Sequence, residues 1–554
     1  MPKVYSRLVV ALAAVATLAF LINFSTRAQR SAIDTYAITN ARIVPVSGAT
    51  IERGTVVIRD GLIAAVGANL TAPADARIID GNGLTVYPGL IDSYTNLGLP
   101  EASPSPSPGG GFGFFQAAPR PSPSGPNSTQ PVGLQPEVMV DDIIRPGGAE
   151  IETARNLGIT TALTTPRSGI WMGQSALINL SGETPQQMIV RSPVAMHVSF
   201  TPLRSGYPGS VMGVFSTLRQ MLLDAQRYRE TLQIYDRAPR GIRRPDIDKS
   251  LASLIPVLEG RLPVVMFANS QREIARALDL SEEFKLKTII AGGREADFLT
   301  DRLAKQNVPV LLSLNLPRRT TAAIPEADPE PLRVLRERVA AQQTAGKLAR
   351  ARVKFAFQSG SLANMSELLP NVGRTIANGL SAEDALRAFT IWPAEIFGLT
   401  NQLGSIETGK IANLVVVRGN IFDRGRVTNL FIDGKPVDLR PPTGAGDTRS
   451  TVTGSWTVSI DFGQGATTST LNLQQEGETV RGVMQGPLGS RDIANGSVSA
   501  AGEVKFSVPL NIEGQTREGT FTGTLSGNEI RGAVNVEGRA PGTFTATRSG
   551  PPPN

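Results

Sequence analysis

Histidine and cysteine, on which most metal sites and acid–base sites depend, are nearly missing from this sequence. The 554 residues include one histidine, His197, and no cysteine. Imidazole is the commonest metal ligand and the usual proton-transfer group near neutral pH, so a single copy cannot build a site of several histidines. The lack of cysteine also excludes disulfides, zinc–cysteine sites and thiol nucleophiles.

Polar residues that end or follow strand-like apolar runs are the remaining candidates for a site. Ligands of α/β proteins bind outside the carboxyl ends of the strands, so we expect these residues to face one pocket. The arginines among them predict a partly cationic pocket for a small anionic or amide-type ligand. Each residue alone is also typical of an ordinary loop, and His197 is also typical of a hydrogen-bonded core histidine. The candidates are Tyr94, Asn96, Arg167, Gln174, His197, Asn269, Arg294 and Arg318.

Other chemistries lack the residues that they need. A magnesium or calcium site requires converging acids, but Asp92, Glu183 and Glu295 are isolated. The glycine pairs at 147–148 and 292–293 are not followed by the Lys-Ser/Thr of a phosphate loop, and no Gly-x-Ser-x-Gly elbow has a usable histidine. The net charge is +7, yet the basic residues are dispersed and predict no nucleic-acid surface. We therefore assign no catalytic residue, metal or cofactor.

Alternating strand-like and helix-like runs over residues 90–399 predict the scaffold that positions these candidates. This repetition favours a TIM-like (β/α)8 barrel, which takes ~250 residues. The apolar run 194–200 is predicted to be its third strand, and Ser270 and Ser381 are predicted helix N-caps. Helices are predicted at 151–157, 218–234, 295–306 and 332–348, and strands at 160–164, 264–267, 288–291, 308–314 and 353–357.

A segment at 101–136 interrupts the predicted barrel after its first strand. It is rich in proline, serine and glycine, with three phenylalanines at 112–115. Such a composition cannot bury enough apolar surface to order itself. Both a surface insertion and a lid over the barrel mouth remain open.

Strand-like runs at 34–89 and 400–440 flank the barrel, and each includes an Asp-Gly turn signal for a hairpin, Asp60-Gly61 and Asp433-Gly434. Neither flank has enough strands to be stable alone, so we predict that the two form one composite β-sandwich.

The two ends of the chain predict separate segments. Residues 1–28 have a basic start and an apolar run, which is typical of a signal peptide or an uncleaved N-terminal anchor. We therefore expect a periplasmic or secreted protein that meets a membrane only through such an anchor. After a linker at 441–449, alternating runs over 450–549 predict an all-β module, either a small barrel or a sandwich, which resembles lipocalin-like modules.

The stretch 86–96, VYPGLIDSYTN, resembles the first barrel strand of the amidohydrolase superfamily, in its imidazolonepropionase-like branch. The runs IERGTVVIRDGLIAAVG and LGSIETGKIANLVVVRGN resemble the two halves of its sandwich, and GLSAEDALRAFTIWPAEIFGL resembles its last barrel helices. This resemblance implies a (β/α)8 barrel with a composite sandwich, and hydrolysis of carbon–nitrogen bonds by a metal-activated water.

The same resemblance implies that the metal ligands are replaced. The branch has the pattern PGLIDxHxH, in which both histidines bind metal. The matching positions here are Tyr94 and Asn96. Later histidine positions match Phe267 and either Ala291 or Gly292, and the position of the proton-shuttling aspartate matches Gly360 or a neighbour.

Three functions follow as hypotheses. The first is an exported, non-catalytic member that binds a small ligand, or that pairs with an active relative or with a second copy. The second is an atypical, metal-independent hydrolase of amides, lactams or dipeptides. The third is an envelope scaffold in which the C-terminal module binds.

Overall fold

The computed structural model describes residues 35–100, 130–203, 206–317, 330–439, 452–462, 466–476, 479–486, 489–499, 502–512, 515–526, 529–536 and 542–550. The chain divides after residue 439 into two compact units. The predicted signal or anchor at 1–28, the linker at 441–449, most of the 101–136 segment and Arg318 lie outside the described residues. No helix among the described residues is both long and apolar enough to cross a membrane.

The elements of the first unit follow the predicted order. Its strands are β1 (Thr35–Ile43), β2 (Ile51–Arg59), β3 (Leu62–Gly67), β4 (Arg77–Asp80), β5 (Leu84–Pro88), β6 (Leu90–Thr95), β7 (Ile159–Thr164), β8 (Trp171–Gln174), β9 (Ala176–Asn179), β10 (Ile189–Arg191), β11 (Met196–Ser199), β12 (Val264–Ala268), β13 (Thr288–Gly292), β14 (Val310–Ser313), β15 (Phe355–Gln358), β16 (Leu414–Asn420), β17 (Asp423–Ile432) and β18 (Lys435–Val437). Its helices are α1 (Ala149–Asn156), α2 (Pro185–Met188), α3 (Val211–Arg237), α4 (Lys249–Leu258), α5 (Gln271–Phe284), α6 (Thr300–Lys305), α7 (Leu332–Arg350), α8 (Leu368–Ala377), α9 (Ala382–Phe389) and α10 (Ile391–Ile396), with 3-10 turns at Val140–Asp142, Ala296–Leu299 and Met365–Glu367.

The two flanks of the barrel combine in one eight-stranded sheet, in the order β18-β17-β16-β5-β1-β2-β3 with β4 beside β1. The antiparallel pair of β5 and β16 joins the flanks directly. The rings of Tyr36 and Phe431 lie 5.5 Å apart although their strands are not neighbours, so the sheet folds over its own apolar core. Both predicted hairpins are present, and their turns are so close that a Cβ on Gly434 would lie 2.6 Å from Cα of Gly61.

The barrel closes as a ring in the order β6, β7, β9–β8, β11, β12, β13, β14, β15. The amide of Gly360 donates to the carbonyl of Tyr94 at 2.9 Å and thereby links β15 to β6. Strands β8 and β9 follow each other in the chain and together occupy one strand position of the barrel wall, which we call the stave β8–β9. It runs antiparallel to both neighbours, β7 and β11. A parallel crossover needs a dozen or more residues, and only the residues 165–170 separate β7 from β8. The chain therefore turns straight back after β7.

Helix capping agrees with the sequence signals around the barrel. The Ser270 side chain accepts from the amide of Glu273, and the Glu273 carboxylate accepts from the amide of Ser270, which completes a capping box before α5. Ser381 caps α9 in a similar way. Capping satisfies amides that the first helical turn leaves unpaired.

The second unit is a closed antiparallel barrel, which is the first of the two predicted alternatives, a small barrel or a sandwich. Strand β20 pairs with both β19 and β21, and β22 lies off the ring beside β21. Apolar side chains such as Phe506, Phe521 and Phe544 fill its interior. The guanidinium of Arg548 lies 4.4 Å from the ring of Trp456. The strands are β19 (Gly454–Asp461), β20 (Ala466–Glu476), β21 (Thr479–Gly486), β22 (Gly489–Asp492), β23 (Ala494–Val498), β24 (Glu503–Ile512), β25 (Gln515–Ser526), β26 (Glu529–Val536) and β27 (Gly542–Gly550).

Candidate functional site

Four inward-facing residues lie at the carboxyl ends of barrel strands, and we call them the axial centre: Tyr94, His197, Phe267 and Gln358. The Tyr94 ring centroid lies 5.6 Å from that of His197 and 6.0 Å from that of Phe267. Tyr94 is 8% exposed, and His197 is 1% exposed. The structure therefore brings two of the predicted site residues into contact, but away from solvent.

His197 is buried without a hydrogen-bond partner. Neither ring nitrogen has a partner among the described residues, and desolvation lowers the pKa of the imidazole to about 3. The ring is therefore neutral at physiological pH. An unpaired buried polar group costs about 1–3 kcal/mol, so His197 occupies this position at a cost to stability.

Gln358 is the second polar residue of the axial centre without partners, and sequence analysis missed it. Both side-chain polar atoms lack a hydrogen bond among the described residues, and the side chain is fully buried. It alternates with Ala356, which belongs to the apolar barrel interior. The signal was the period of two in β15: a polar residue two positions after an inward-facing alanine must itself face inward.

Asp92 links the first and last strands of the barrel, β6 and β15, next to the axial centre. Its carboxylate accepts from the amides of Ser359 at 3.0 Å and of Tyr94 at 3.3 Å, and from the Ser359 hydroxyl. Burial raises the pKa of Asp92 to about 6, although these hydrogen bonds oppose the shift. The two hydrogen bonds from Ser359, the residue after β15, therefore join β15 to β6, and the one from the amide of Tyr94 lies within β6.

Tyr94 is locked as a neutral phenol. Burial raises its pKa to about 12, against a smaller opposing effect of a hydrogen bond with Thr165. Thr165 also fixes Asn96, whose amide nitrogen donates to the Thr165 carbonyl at 2.8 Å. Both residues of the motif are thus engaged in contacts between β6 and the end of β7.

The other predicted site residues are dispersed around the mouth. The Gln174 amide donates to the carbonyl of Pro136 at 3.1 Å. Asn269 lies against Gly292, where an added Cβ would be 2.6 Å from the Asn269 oxygen. Arg167 and Arg294 are exposed, and Arg318 lies outside the described residues. The structure does not bring these residues together around the axial centre.

A pocket of about 730 Å³ opens at the rim of the mouth, and no residue of the axial centre lines it. Its walls come from the loop after β7, from β8, from the loop after β11 and from the chain at 132–143. We call it the rim pocket, and its lining includes Arg167, Trp171, Met172, Ser199 and Leu203. Among the candidates named from the sequence, Arg167 lines it.

The metal that the family resemblance implies does not fit the residues at the matching positions, Tyr94, Asn96, Phe267 and Gly360. A phenol, a carboxamide and a benzyl group stand at three ligand positions, and Gly360 carries no carboxylate. A Cβ on Gly360 would lie 2.7 Å from the Tyr94 carbonyl oxygen, so an aspartate there requires the strands to shift. Within the described ranges, no three His, Cys, Asp or Glu side chains converge in a way that could hold a metal ion.

Comparisons with known proteins agree with the architecture. The model of the amidohydrolase family matches residues 336–437. An amidohydrolase of Thermotoga maritima MSB8 superposes with a TM-score of 0.61 at 25% identity, over 73% of this chain and 100% of that one.

Two curated relatives match over short stretches. A dihydroorotase of Pelobacter propionicus is 36% identical over 63 residues, and a 5-methylthioadenosine/S-adenosylhomocysteine deaminase of Pyrococcus furiosus is 42% identical over 62 residues. Each match covers 11% of this chain and 15% of the relative. The chain therefore spans a small part of the length of these curated relatives.

Proposed function

Since the chain belongs to the amidohydrolase superfamily, we propose that it is an exported, non-catalytic member that acts by binding a small ligand. Export is supported by the basic and apolar pattern at 1–28. The superfamily's action on carbon–nitrogen bonds, as in the deaminase and dihydroorotase named above, supports a ligand with anionic or amide character.

One observation carries the non-catalytic role: the state of the two buried titratable groups nearest a water-activating role, His197 of the axial centre and the neighbouring Asp92. Hydrolysis of a carbon–nitrogen bond needs a group that activates water and a group that moves its proton. His197 has no hydrogen-bond partner among the described residues to orient it, and its pKa of about 3 makes it a weak base. The buried carboxylate of Asp92 is engaged by Ser359 and Tyr94. Neither residue is placed to act on a substrate in the mouth.

The test is a joint measurement of bound metal and of turnover on the purified full chain. We expect substoichiometric zinc, iron and manganese by elemental analysis. We also expect no hydrolysis of amides, lactams or dipeptides, with or without added metal. A stoichiometric metal whose removal by a chelator abolishes hydrolysis would overturn the proposal. Hydrolysis that survives chelation would also overturn it, in favour of the metal-independent hydrolase.

A further inference from the structure

We propose that the rim pocket binds a small organic carboxylate with an apolar body, and that Arg167 holds the carboxylate group. This inference rests on the proposed function, because it assigns a ligand class to the binding protein described above. It places the ligand beside the barrel axis, between the antiparallel stave and the loops that follow β7 and β11.

The wall of the rim pocket is held by backbone hydrogen bonds. The amides of Ile170 and Trp171 donate to the carbonyl of Gly133 at 2.7 and 3.2 Å, and the amide of Gln174 donates to the carbonyl of Val138 at 2.8 Å. A Cβ on Gly169 would lie 3.2 Å from the Gly133 oxygen, so these two strands of chain approach closely because glycine is present. The wall is therefore formed before any ligand binds, which lowers the entropic cost of binding.

The lining of the rim pocket is mostly apolar. Leu99, Val138, Trp171, Met172 and Leu203 contribute to it. Two further lining residues, Val132 and Ile143, are 38% and 37% exposed, so part of this apolar surface lies uncovered. The volume of about 730 Å³ lies within the range of roughly 300–1,000 Å³ that is common for small-molecule sites. An apolar ligand body would cover this surface.

Among the lining residues that the structure describes, Arg167 is the charged one, and none is acidic. The guanidinium donates one long hydrogen bond, 3.4 Å, to the Leu99 carbonyl. No carboxylate among the described residues pairs with it. A planar guanidinium with free donors matches a carboxylate in both charge and geometry.

The acids on the chain that forms the wall do not neutralise this charge. Glu137 accepts from the Ser250 hydroxyl at 2.8 Å, and Asp141 accepts from the Ser192 hydroxyl at 2.9 Å. None of the three acids at 132–143, Glu137, Asp141 and Asp142, is among the described lining residues. The hydroxyls of Ser199 and Thr201, which do line it, add neutral polar groups. One guanidinium, neutral hydroxyls and an apolar lining together favour a ligand with a single negative charge at one polar end.

Calorimetric titration of the full chain with N-benzoylglycine and its neutral amide, N-benzoylglycinamide, tests the inference. The two probes have the same apolar body and differ in the carboxylate. We expect the wild-type protein to bind the acid at least about tenfold more tightly than the amide, with a preference that weakens as salt is added. Arg167→Gln should abolish this preference and leave the affinity for the amide unchanged. Arg336→Gln, which removes an exposed arginine of α7 away from the pocket, should keep the preference.

Equal binding of the two probes to the wild-type protein, no binding of either, or a preference that survives in Arg167→Gln would overturn the inference. A thermal unfolding scan of each variant confirms that the fold is intact. Release of benzoate from N-benzoylglycine is followed in the same samples: binding with turnover would refute the non-catalytic function and leave the carboxylate site in place.

Discussion

The axial centre and the rim pocket differ in burial, in charge and in the polarity of their side chains. The axial centre is mostly buried, with Phe267 partly exposed, and its titratable groups are neutral near pH 7, since the pKa of His197 is about 3 and that of Tyr94 is about 12. The rim pocket is open and mostly apolar, and its described lining includes Arg167. In this chain the end of the barrel axis has become a packed core, and the surface suited to binding comes from the stave β8–β9 and its neighbours.

If this contrast is correct, changes at the axial centre and at the neighbouring Asp92 should alter stability, whereas changes in the rim pocket should alter binding. The two kinds of measurement, unfolding and titration, can therefore be set against each other for each variant. Four variants test the contrast, in descending order of expected effect.

Asp92→Ala should have the largest effect on stability. It leaves the amides of Ser359 and Tyr94 and the Ser359 hydroxyl without their acceptor at the point where β15 meets β6. We expect a loss of about 3 kcal/mol or more in the free energy of unfolding, since each buried donor left unpaired costs about 1–3 kcal/mol. Urea unfolding measures it.

Asp92→Asn is the matched control, because its side-chain oxygen keeps the position of the acceptor for the two amides. We expect it to lose less than half as much stability as Asp92→Ala. Equal losses in the two variants would show that packing, and not the hydrogen bonds, holds this joint closed.

Local signals in the sequence were sufficient for most of the scaffold. The cap at Ser270, the turns at Asp60-Gly61 and Asp433-Gly434, and the alternation in the second unit each depend on a few neighbouring residues, and the structure has all of them. The composite sheet was predictable because neither flank could be stable alone.

Two of the features that sequence analysis missed had local signals: Gln358 follows Ala356 at a spacing of two in β15, and the connection at 165–170 is too short for a parallel crossover. The rest depends on pairings between distant residues. The rim pocket requires the pairing of the chain at 133–138 with β8. The sequence placed His197 and Arg167 in one predicted pocket because the first lies in a strand-like run and the second follows one, but it could not show that one faces the axis and the other faces solvent.

His197→Leu should have the second largest effect on the free energy of unfolding. The difference between this variant and the wild-type protein should change with pH. The unfolded chain takes up a proton on this histidine below its ordinary pKa of 6.5, whereas the folded protein does so only near 3. Stability is therefore complete above pH 6.5 and falls as the pH decreases from 6.5 toward 3. From these two values, the wild-type protein loses about 2 kcal/mol through His197 between pH 8 and pH 5.

The measurement is the difference in unfolding free energy between wild type and His197→Leu at pH 8 and at pH 5. The difference is needed because Asp92 acts in the opposite direction. Its pKa rises from 3.8 to about 6 on folding, so it adds stability as the pH falls through that window. If the difference between the two proteins is the same at both pH values, the imidazole is not sealed from solvent.

Gln358→Leu should raise stability slightly at neutral pH. The substitution removes two buried polar atoms that have no partner among the described residues and keeps a similar volume. We expect a gain of up to about 1 kcal/mol, since replacing unpaired polar atoms by an apolar group of the same shape is neutral or stabilising. A loss of more than about 1 kcal/mol would indicate that a bound molecule satisfies this amide.

Arg167→Gln should have the smallest effect on stability, and this makes it the sharpest test of the contrast. The guanidinium is exposed and makes one hydrogen bond of 3.4 Å to the Leu99 carbonyl, which a glutamine amide can replace in part. Exposed substitutions of this kind change the free energy of unfolding by about 0.5 kcal/mol or less. We therefore expect an unchanged urea midpoint together with the loss of carboxylate preference described above. A large loss of stability would instead assign Arg167 to holding the loops after β6 and β7 together, and the rim would then be a structural joint like the axial centre.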